Sequence, residues 1–222
     1  MIHTSISHKI LFAVLAAVCL ITSFAMIRPV QADEIPAAAE KAFGSTLEKL
    51  KKDGIISSAD GKSTYWGDYT DEWAQIGWYQ WITFEHTNRF VFSANVSWDS
   101  ASQTPNNFES GCGLIYNIGN GNSNHLLASI RMDGMIYFTG FRNSNHLSYG
   151  TYRYGKNSIK GSADLVVVVD NDKATVYIDG ERVVRKADLP VMGDGVGLST
   201  LSGTNKDFGT RCTWKDIFMY NW

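Results

Sequence analysis

The sequence lacks any cluster of basic residues. It has 20 Lys and Arg against 22 Asp and Glu in 222 residues, and Lys9 and Arg28 are the only Lys or Arg residues before Asp33. The remainder of the chain is therefore mildly acidic. A protein that binds nucleic acid or an anionic membrane surface needs a concentrated patch of Lys and Arg. The composition argues against both kinds of partner.

Patterns for nucleophilic catalysis and metal binding are also missing. No serine stands in a Gly-x-Ser-x-Gly turn, which presents the nucleophile in many hydrolases. No His and Cys cluster has the spacing of a zinc site. Asp170-Asn171-Asp172 has acidic oxygens but lacks the glycine and distal glutamate of an EF-hand loop, so a hairpin turn is the favoured interpretation. We predict no cofactor, with calcium as the open alternative.

Cysteine is scarce, with three residues in the chain. Cys19 lies in an N-terminal apolar segment, which leaves Cys112 and Cys212 for the folded body. In an oxidising compartment such a pair predicts a disulfide, and two buried thiols are the alternative. For a closed loop of about 100 residues, the chain-entropy model gives about 4.7 kcal/mol of stabilisation.

The chain has one long apolar run, from Ile10 to Ile27, which follows Lys9. Val30-Gln31-Ala32 then places small residues at the −3 and −1 positions of a signal-peptidase site. Residues 1–32 are therefore predicted to be a signal peptide, and the protein to be secreted or at the cell surface. The alternative is an uncleaved anchor, because the run approaches membrane-spanning length. A membrane is expected as a partner only in that case.

Residues 33–54 carry the pattern of a single helix. Phe43, Leu47 and Leu50 share one face at i, i+4 and i+7, Pro36 suits a first helical position, and Gly54 suits a left-handed end. We expect the helix to pack on the rest of the protein, with a stalk between membrane and domain as the alternative.

Residues 55–222 show the patterns of β-strands. Phe90 to Trp98 alternates apolar and polar residues, and Leu165 to Val169 is a short apolar run typical of a strand buried on both faces. Asp133-Gly134 and Asp179-Gly180 are hairpin signals between such segments. Many strands separated by short Gly, Asn and Ser loops, without repeats, predict an antiparallel two-sheet sandwich.

Several of these segments resemble a known family. They are Ser110 to Tyr116, His125 to Phe141, Asp164 to Val184, Gly195 to Leu198 and Trp214 to Met219. Together they resemble the concanavalin A-like (laminin G-like) jelly roll, in the version found in bacterial secreted domains related to 3-keto-disaccharide hydrolases. The resemblance implies an all-β, antiparallel jelly-roll sandwich with one N-terminal helix. Each matching feature is a turn or a core position, so the likeness bears on fold and not on activity.

Glucanases of this fold carry Glu-x-Asp-x-x-Glu on one strand, which places acid and nucleophile on the same face. No strand here has that pattern, and Glu85, Asp99 and Glu109 are isolated. We therefore assign no catalytic residue and favour a protein that is not an enzyme.

Aromatic side chains are the remaining candidates for a site, because sugars stack their C–H faces on aromatic rings beside amides and hydroxyls. Tyr79 and Trp81 have the parity opposite to Trp78, which is expected in the core with Trp98 and Trp214. The predicted ligand-binding residues are Tyr79, Trp81, Asn143, Asn145, His146, Tyr149, Tyr152 and Tyr154. The alternative is that these rings simply fill a sandwich core.

Three functions remain open at this stage. The first is a secreted, non-catalytic, lectin-like module that binds a glycan or polysaccharide. The second is a glycoside-hydrolase-like enzyme acting on sugars. The third is a structural or adhesive extracellular surface or filament subunit whose exposed aromatics contact another protein, with self-association as one form of this.

Cleavage after Ala32 gives a first testable prediction. Protein recovered from the exported fraction should begin at Asp33, which N-terminal sequencing and intact mass would both show. Replacing Ala32 by Tyr should block processing, because signal peptidase requires a small residue at −1. An exported protein that keeps residues 1–32 and sediments with membranes would contradict the prediction and support the anchor.

Overall fold

The computed structural model describes residues 35–57, 60–119 and 123–222. The predicted signal peptide, residues 1–32, lies outside the described residues. Within these ranges, no helix has both the length and the apolar character needed to cross a bilayer.

One helix precedes twelve strands along the described chain. They are α1 (Ala37–Lys52), β1 (Lys62–Trp73), β2 (Trp78–His86), β3 (Arg89–Ser100), β4 (Gly111–Ile118), β5 (His125–Arg131), β6 (Met135–Arg142), β7 (Asn145–Arg153), β8 (Lys160–Asp170), β9 (Lys173–Ile178), β10 (Glu181–Lys186), β11 (Gly195–Ser202) and β12 (Thr210–Asn221).

The strands form two six-stranded antiparallel sheets. The first sheet has the order β1-β12-β3-β8-β9-β10, and the second has the order β2-β11-β4-β5-β6-β7. Strands distant in sequence are neighbours in space, as when β12 lies between β1 and β3. The predicted all-β, antiparallel jelly-roll sandwich with one N-terminal helix is confirmed.

The main core lies between the sheets and follows the alternation in the sequence. Phe90 and Phe92 of β3 pack there with Leu114 of β4 and Leu126 of β5. The core positions expected for Trp98 and Trp214 are confirmed. The prediction for Trp78 is wrong, since its side chain is 65% exposed. Trp78 is the first residue of the edge strand β2. Its side chain has the parity of the core residues, but at this end of the strand it lies outside the core.

Helix α1 packs on the outer face of the first sheet. Phe43, Leu47 and Leu50 are buried, and the ring of Phe43 stacks on Phe218 with 4.7 Å between centroids. The expected packing of the helix on the rest of the protein is confirmed. Because α1 covers the outer face of the first sheet, β8 is apolar on both of its faces. Val167 faces the main core, whereas Val168 lies in the cluster under α1.

The ends of α1 follow the sequence signals with one shift. Pro36 is the N-cap, with φ −61° and ψ 120°, and so stands just before the first helical turn. Gly54 has φ +66°, which is the left-handed conformation that favours glycine after a helix.

The tight turns hold residues that tolerate positive φ. Asp179 and Gly180 join β9 to β10 with φ of 51° and 81°, as a type I′ hairpin requires. Asn171, with φ 54°, begins the turn between β8 and β9. The acidic segment Asp170-Asn171-Asp172 is therefore part of a hairpin. Across the described ranges, no group of three or more His, Cys, Asp and Glu side chains is arranged to hold a metal ion.

The predicted disulfide between Cys112 and Cys212 is confirmed. Cys112 lies on β4 of the second sheet and Cys212 on β12 of the first, and their Cα atoms are 5.7 Å apart. Both cysteines are fully buried. The bond therefore ties the two layers together through the core.

Removing this bond should destabilise the protein without changing its fold. The variant Cys112→Ala with Cys212→Ala should lose about 2–5 kcal/mol of unfolding free energy. Urea titration followed by tryptophan fluorescence would measure the loss. Reductant should lower the midpoint of the wild-type protein and leave the variant unchanged. Equal midpoints for the oxidised wild type and the variant would contradict the prediction.

Candidate functional site

The outer faces of the two sheets differ. Helix α1 covers much of the first sheet, whereas no helix of the described chain lies over the second. Outward positions of the second sheet are those that alternate with core residues such as Leu114, Leu126 and Leu198. On β4, β5 and β11 they include Gly113, Ile115, His125, Leu127, Ser129, Arg131, Ser199 and Leu201. These are small or apolar residues, with one histidine and one arginine.

A continuous row of rings crosses this face, and we call it the aromatic row. Tyr79 and Trp81 of β2 lie 5.8 and 5.4 Å from the ring of His125 on β5. His125 lies 5.4 Å from Phe141 of β6, which lies 5.3 Å from His146 of β7. The row therefore joins four of the six strands. It brings together three residues predicted from sequence, namely Tyr79, Trp81 and His146.

The rings of the row lie along the sheet. Strands β11 and β4 separate β2 from β5, which is a gap of about 14 Å at ordinary strand spacing. The Tyr79 hydroxyl nevertheless lies 2.5 Å from His125 Nε2 in a hydrogen bond. Ile115, Leu127 and Leu201 are buried with Tyr79 and Trp81 packed against them. The row thus forms a small apolar layer on the outside of the second sheet.

Burial governs the chemistry of Tyr79. Desolvation raises the pKa of its phenol well above the ordinary value, and the charge of Arg131 opposes this shift. The raised pKa keeps the proton on this hydroxyl even at alkaline pH, so it remains a hydrogen-bond donor.

Asn143, Asn145 and His146 lie at the hairpin between β6 and β7, and all three are exposed. Asn143 and Ser144 have φ of 52° and 63°, so they form the turn itself. The Asn145 amide donates to the Asn143 carbonyl at 3.3 Å. The two asparagines thus stand at the end of the aromatic row beside His146.

Tyr149, Tyr152 and Tyr154 lie elsewhere, half-buried against the main core. Tyr152 meets Phe138 edge to face at 6.2 Å, and the Tyr154 hydroxyl donates to the Arg131 carbonyl at 2.9 Å. Burial raises the pKa of both Tyr149 and Tyr154. The structure therefore separates these tyrosines from Tyr79 and Trp81 by the thickness of the second sheet.

His125 and Phe141 are members of the row that sequence reasoning missed. His125 alternates with Leu126, Ala128 and Ile130, and that parity alone would have placed it on the outer face. Phe141 pairs directly with His125 across β5 and β6, and this register could not be derived without the length of the hairpin.

A buried arginine lies on the same face. Arg131 is 8% exposed, donates from Nε to Ser129 Oγ at 2.7 Å, and donates from Nη1 to the Phe108 carbonyl at 2.6 Å. Its guanidinium lies 5.0 Å from the ring centroid of Tyr137. Burial lowers the pKa of Arg131 to about 10, against the opposing charges of Asp133 and Glu109.

Tyr137 responds to the same surroundings. Burial and a 2.7 Å hydrogen bond to Asp133 raise its pKa to about 12. An unfolded phenol ionises at about 10, so the unfolded chain releases this proton first. The stability that Tyr137 contributes is complete below pH 10 and is lost as the pH rises through 12. Arg131 acts in the opposite direction over this range, because the unfolded arginine keeps its proton longer.

The variant Tyr137→Phe tests this account. Between pH 10 and 12 its unfolding free energy should fall less steeply than that of the wild type, because one raised phenol pKa has been removed. Urea unfolding at a series of pH values would give both slopes. Superimposable slopes would show that Tyr137 does not ionise as the structure implies.

No family model matches this chain, and no curated protein matches it. Solved structures do match its fold. One is the carbohydrate binding module CBM66 from Bacillus subtilis, with TM-score 0.50 and 12% identity over 71% of this chain and 92% of that chain. Another is CB05 from A. japonicus, with TM-score 0.50 and 12% identity over 73% of this chain but 26% of that larger protein.

Identities this low bear on fold alone. The sequence segments resemble the concanavalin A-like jelly roll, and the order of the two six-stranded sheets and these matches agree with that fold. The chain has the concanavalin A-like jelly-roll fold.

Proposed function

We propose that this protein is a secreted, non-catalytic carbohydrate-binding module whose glycan lies along the outer face of the second sheet. The observation that carries the proposal is the aromatic row, which crosses a face that no helix covers in the described chain. Tyr79 and Trp81 supply stacking surfaces. Asn143, Asn145 and His146 supply polar contacts at the β7 end.

The packing of the row suits a binding role. Tyr79 and Trp81 are half-buried over Ile115 and Leu127, so part of each ring is fixed and part reaches solvent. A ring fixed before the ligand arrives loses little rotamer entropy on binding. Stacking on a sugar also needs no charge, which agrees with the mildly acidic composition.

The polar residues of the face favour binding over hydrolysis. Glycoside hydrolysis needs two carboxyl groups that flank the scissile bond. The outward positions named above on β4, β5 and β11 hold glycine, serine, aliphatic residues, one histidine and one arginine. None of these positions holds a carboxylate, and Glu109 and Asp133 lie near Arg131 outside the set.

Export and fold are compatible with the same role. The predicted signal segment and the Cys112–Cys212 bond both suit an oxidising, extracellular setting. The Bacillus subtilis carbohydrate binding module has the same overall fold. We assign Tyr149, Tyr152 and Tyr154 to fixing β7 against the core, where they would support the site from beneath without touching the glycan.

The variant Trp81→Ala tests the proposal, with Trp78→Ala as the matched control. The two tryptophans lie on the same strand with opposite parity, and Trp78 is 65% exposed. Loss of stacking of about 1.5 kcal/mol should weaken binding about tenfold for Trp81→Ala. The control should bind as the wild type does. Affinity electrophoresis through gels that contain single polysaccharides would measure retardation of all three proteins.

Other outcomes would overturn parts of the proposal. Equal retardation of the two variants would remove the aromatic row from the site. Release of reducing sugar by the purified protein would show an enzyme. No retardation in any polysaccharide, together with large assemblies in size-exclusion chromatography, would favour the structural or adhesive role.

A further inference from the structure

Arg131 is a buried cation without an ion-pair partner among the described residues. The ion pairs found in those ranges join other side chains, and Arg131 is 8% exposed. A buried charge without a partner is costly. Arg131 Nη1 donates a hydrogen bond to the Phe108 carbonyl, and Arg131 Nε donates one to Ser129 Oγ. Neither uses Nη2, which has no hydrogen-bond partner in the described chain.

Glu109 offers the complementary group. Its Oε2 accepts from the Asn106 amide at 2.8 Å, whereas its Oε1 accepts no hydrogen bond within the described ranges. Glu109 acts electrostatically on Arg131 but does not approach it within the 4.0 Å of an ion pair. It lies two residues before Gly111, which pairs with Arg131. Because Arg131 Nη1 donates to the carbonyl of Phe108, the residue before Glu109, the two side chains belong to one neighbourhood without forming an ion pair.

A strip of small residues connects this place to the aromatic row. Trp81 pairs with Ser199, Ser199 with Gly113, and Gly113 with Ser129, which accepts from Arg131. Ser199 Oγ is enclosed and has no hydrogen-bond partner among the described residues. Ser129 and Ser199 are fully buried, so the strip joins the two places beneath the surface of the face.

We propose that Arg131 and Glu109 form a polar subsite that binds two neighbouring hydroxyl groups of a neutral sugar, beside a unit stacked on Trp81. This inference rests on the proposed function and names the chemistry of its ligand. A hydroxyl group both donates and accepts, so one hydroxyl of a vicinal pair accepts from Arg131 Nη2 and its neighbour donates to Glu109 Oε1. Hydrogen bonds to charged groups are the stronger kind, which suits recognition in a partly dry site.

The charge balance of the subsite selects a neutral sugar. Arg131 is the single cation in this group, and Glu109 and Asp133 both act on it from nearby. Asp133 also accepts from Tyr137 and from the Met135 backbone amide. A uronic acid would bring a third carboxylate toward one guanidinium. We therefore expect methyl glycosides of neutral hexoses to bind there in preference to a methyl glucuronide.

Side-chain N–H signals in an ¹⁵N NMR titration separate this subsite from the aromatic row. The Nε–H of Arg131 reports the subsite, and the indole N–H of Trp81 reports the row. The probes are the methyl glycosides of glucose, galactose, mannose and fructose, with methyl glucuronide as the anionic comparison. At least one neutral glycoside should shift both signals. A 2-deoxy analogue, which lacks one vicinal hydroxyl in a pyranose ring, should shift the Arg131 signal less.

The variant Glu109→Gln gives a second readout, because it removes the charge and keeps the shape. It should bind the active glycoside about tenfold more weakly, since a charged acceptor becomes neutral. Glu85→Gln makes the same chemical change on β2 and should have no effect. Unchanged affinity in Glu109→Gln would overturn the subsite.

The two signals assign each remaining outcome. If every neutral glycoside shifts the Trp81 indole signal and none shifts the Arg131 Nε–H signal, the subsite is overturned and the proposed function stands. A shift of Arg131 by methyl glucuronide alone would overturn the choice of a neutral sugar. A shift of Arg131 alone would support the subsite and overturn the role of Trp81. No shift of either signal with any probe would overturn both proposals.

Discussion

The packing of α1 on the first sheet makes the two halves of this sandwich unequal. Phe43 stacks on Phe218, and Leu47 and Leu50 cover the same apolar cluster. The first sheet is therefore apolar on both faces where Phe43, Leu47 and Leu50 pack. The second sheet has its main core on one side and rings on the other. The candidate site lies on the second sheet because α1 covers the outer face of the first.

The aromatic row excludes water from the apolar residues of a sheet face that no helix of the described chain covers. Ile115 and Leu127 would be exposed on a bare sheet, yet Tyr79 and Trp81 lie over them and bury them. Aromatic rings can do this and still offer an outer surface, which aliphatic side chains on a helix would not. The same burial that stabilises the layer raises the pKa of the Tyr79 phenol.

The sequence predicted the architecture far better than the site, for reasons of periodicity. Alternation gave the strands, and positive-φ residues such as Gly180 gave the turns, because both signals are local. The site depends on strand order, which is not local. Trp78 and Trp81 are three positions apart, and parity alone could not show that Trp78 lies beyond the edge of the core. His125 was missed because its neighbour Tyr79 on β2 lies 46 residues away in sequence, which leaves no local signal.

The disulfide lies on β4 directly beneath the part of the outer face that carries Arg131. Cys112 follows Gly111, which pairs with Arg131, and Gly113 follows in the strip toward Trp81. The bond to Cys212 therefore fixes β4 from the core side at the point where the outer face carries its polar group. Small residues on β4 contribute little packing of their own. A covalent tie beneath them offsets that weakness, so the bond holds the geometry of this face as well as stabilising the fold.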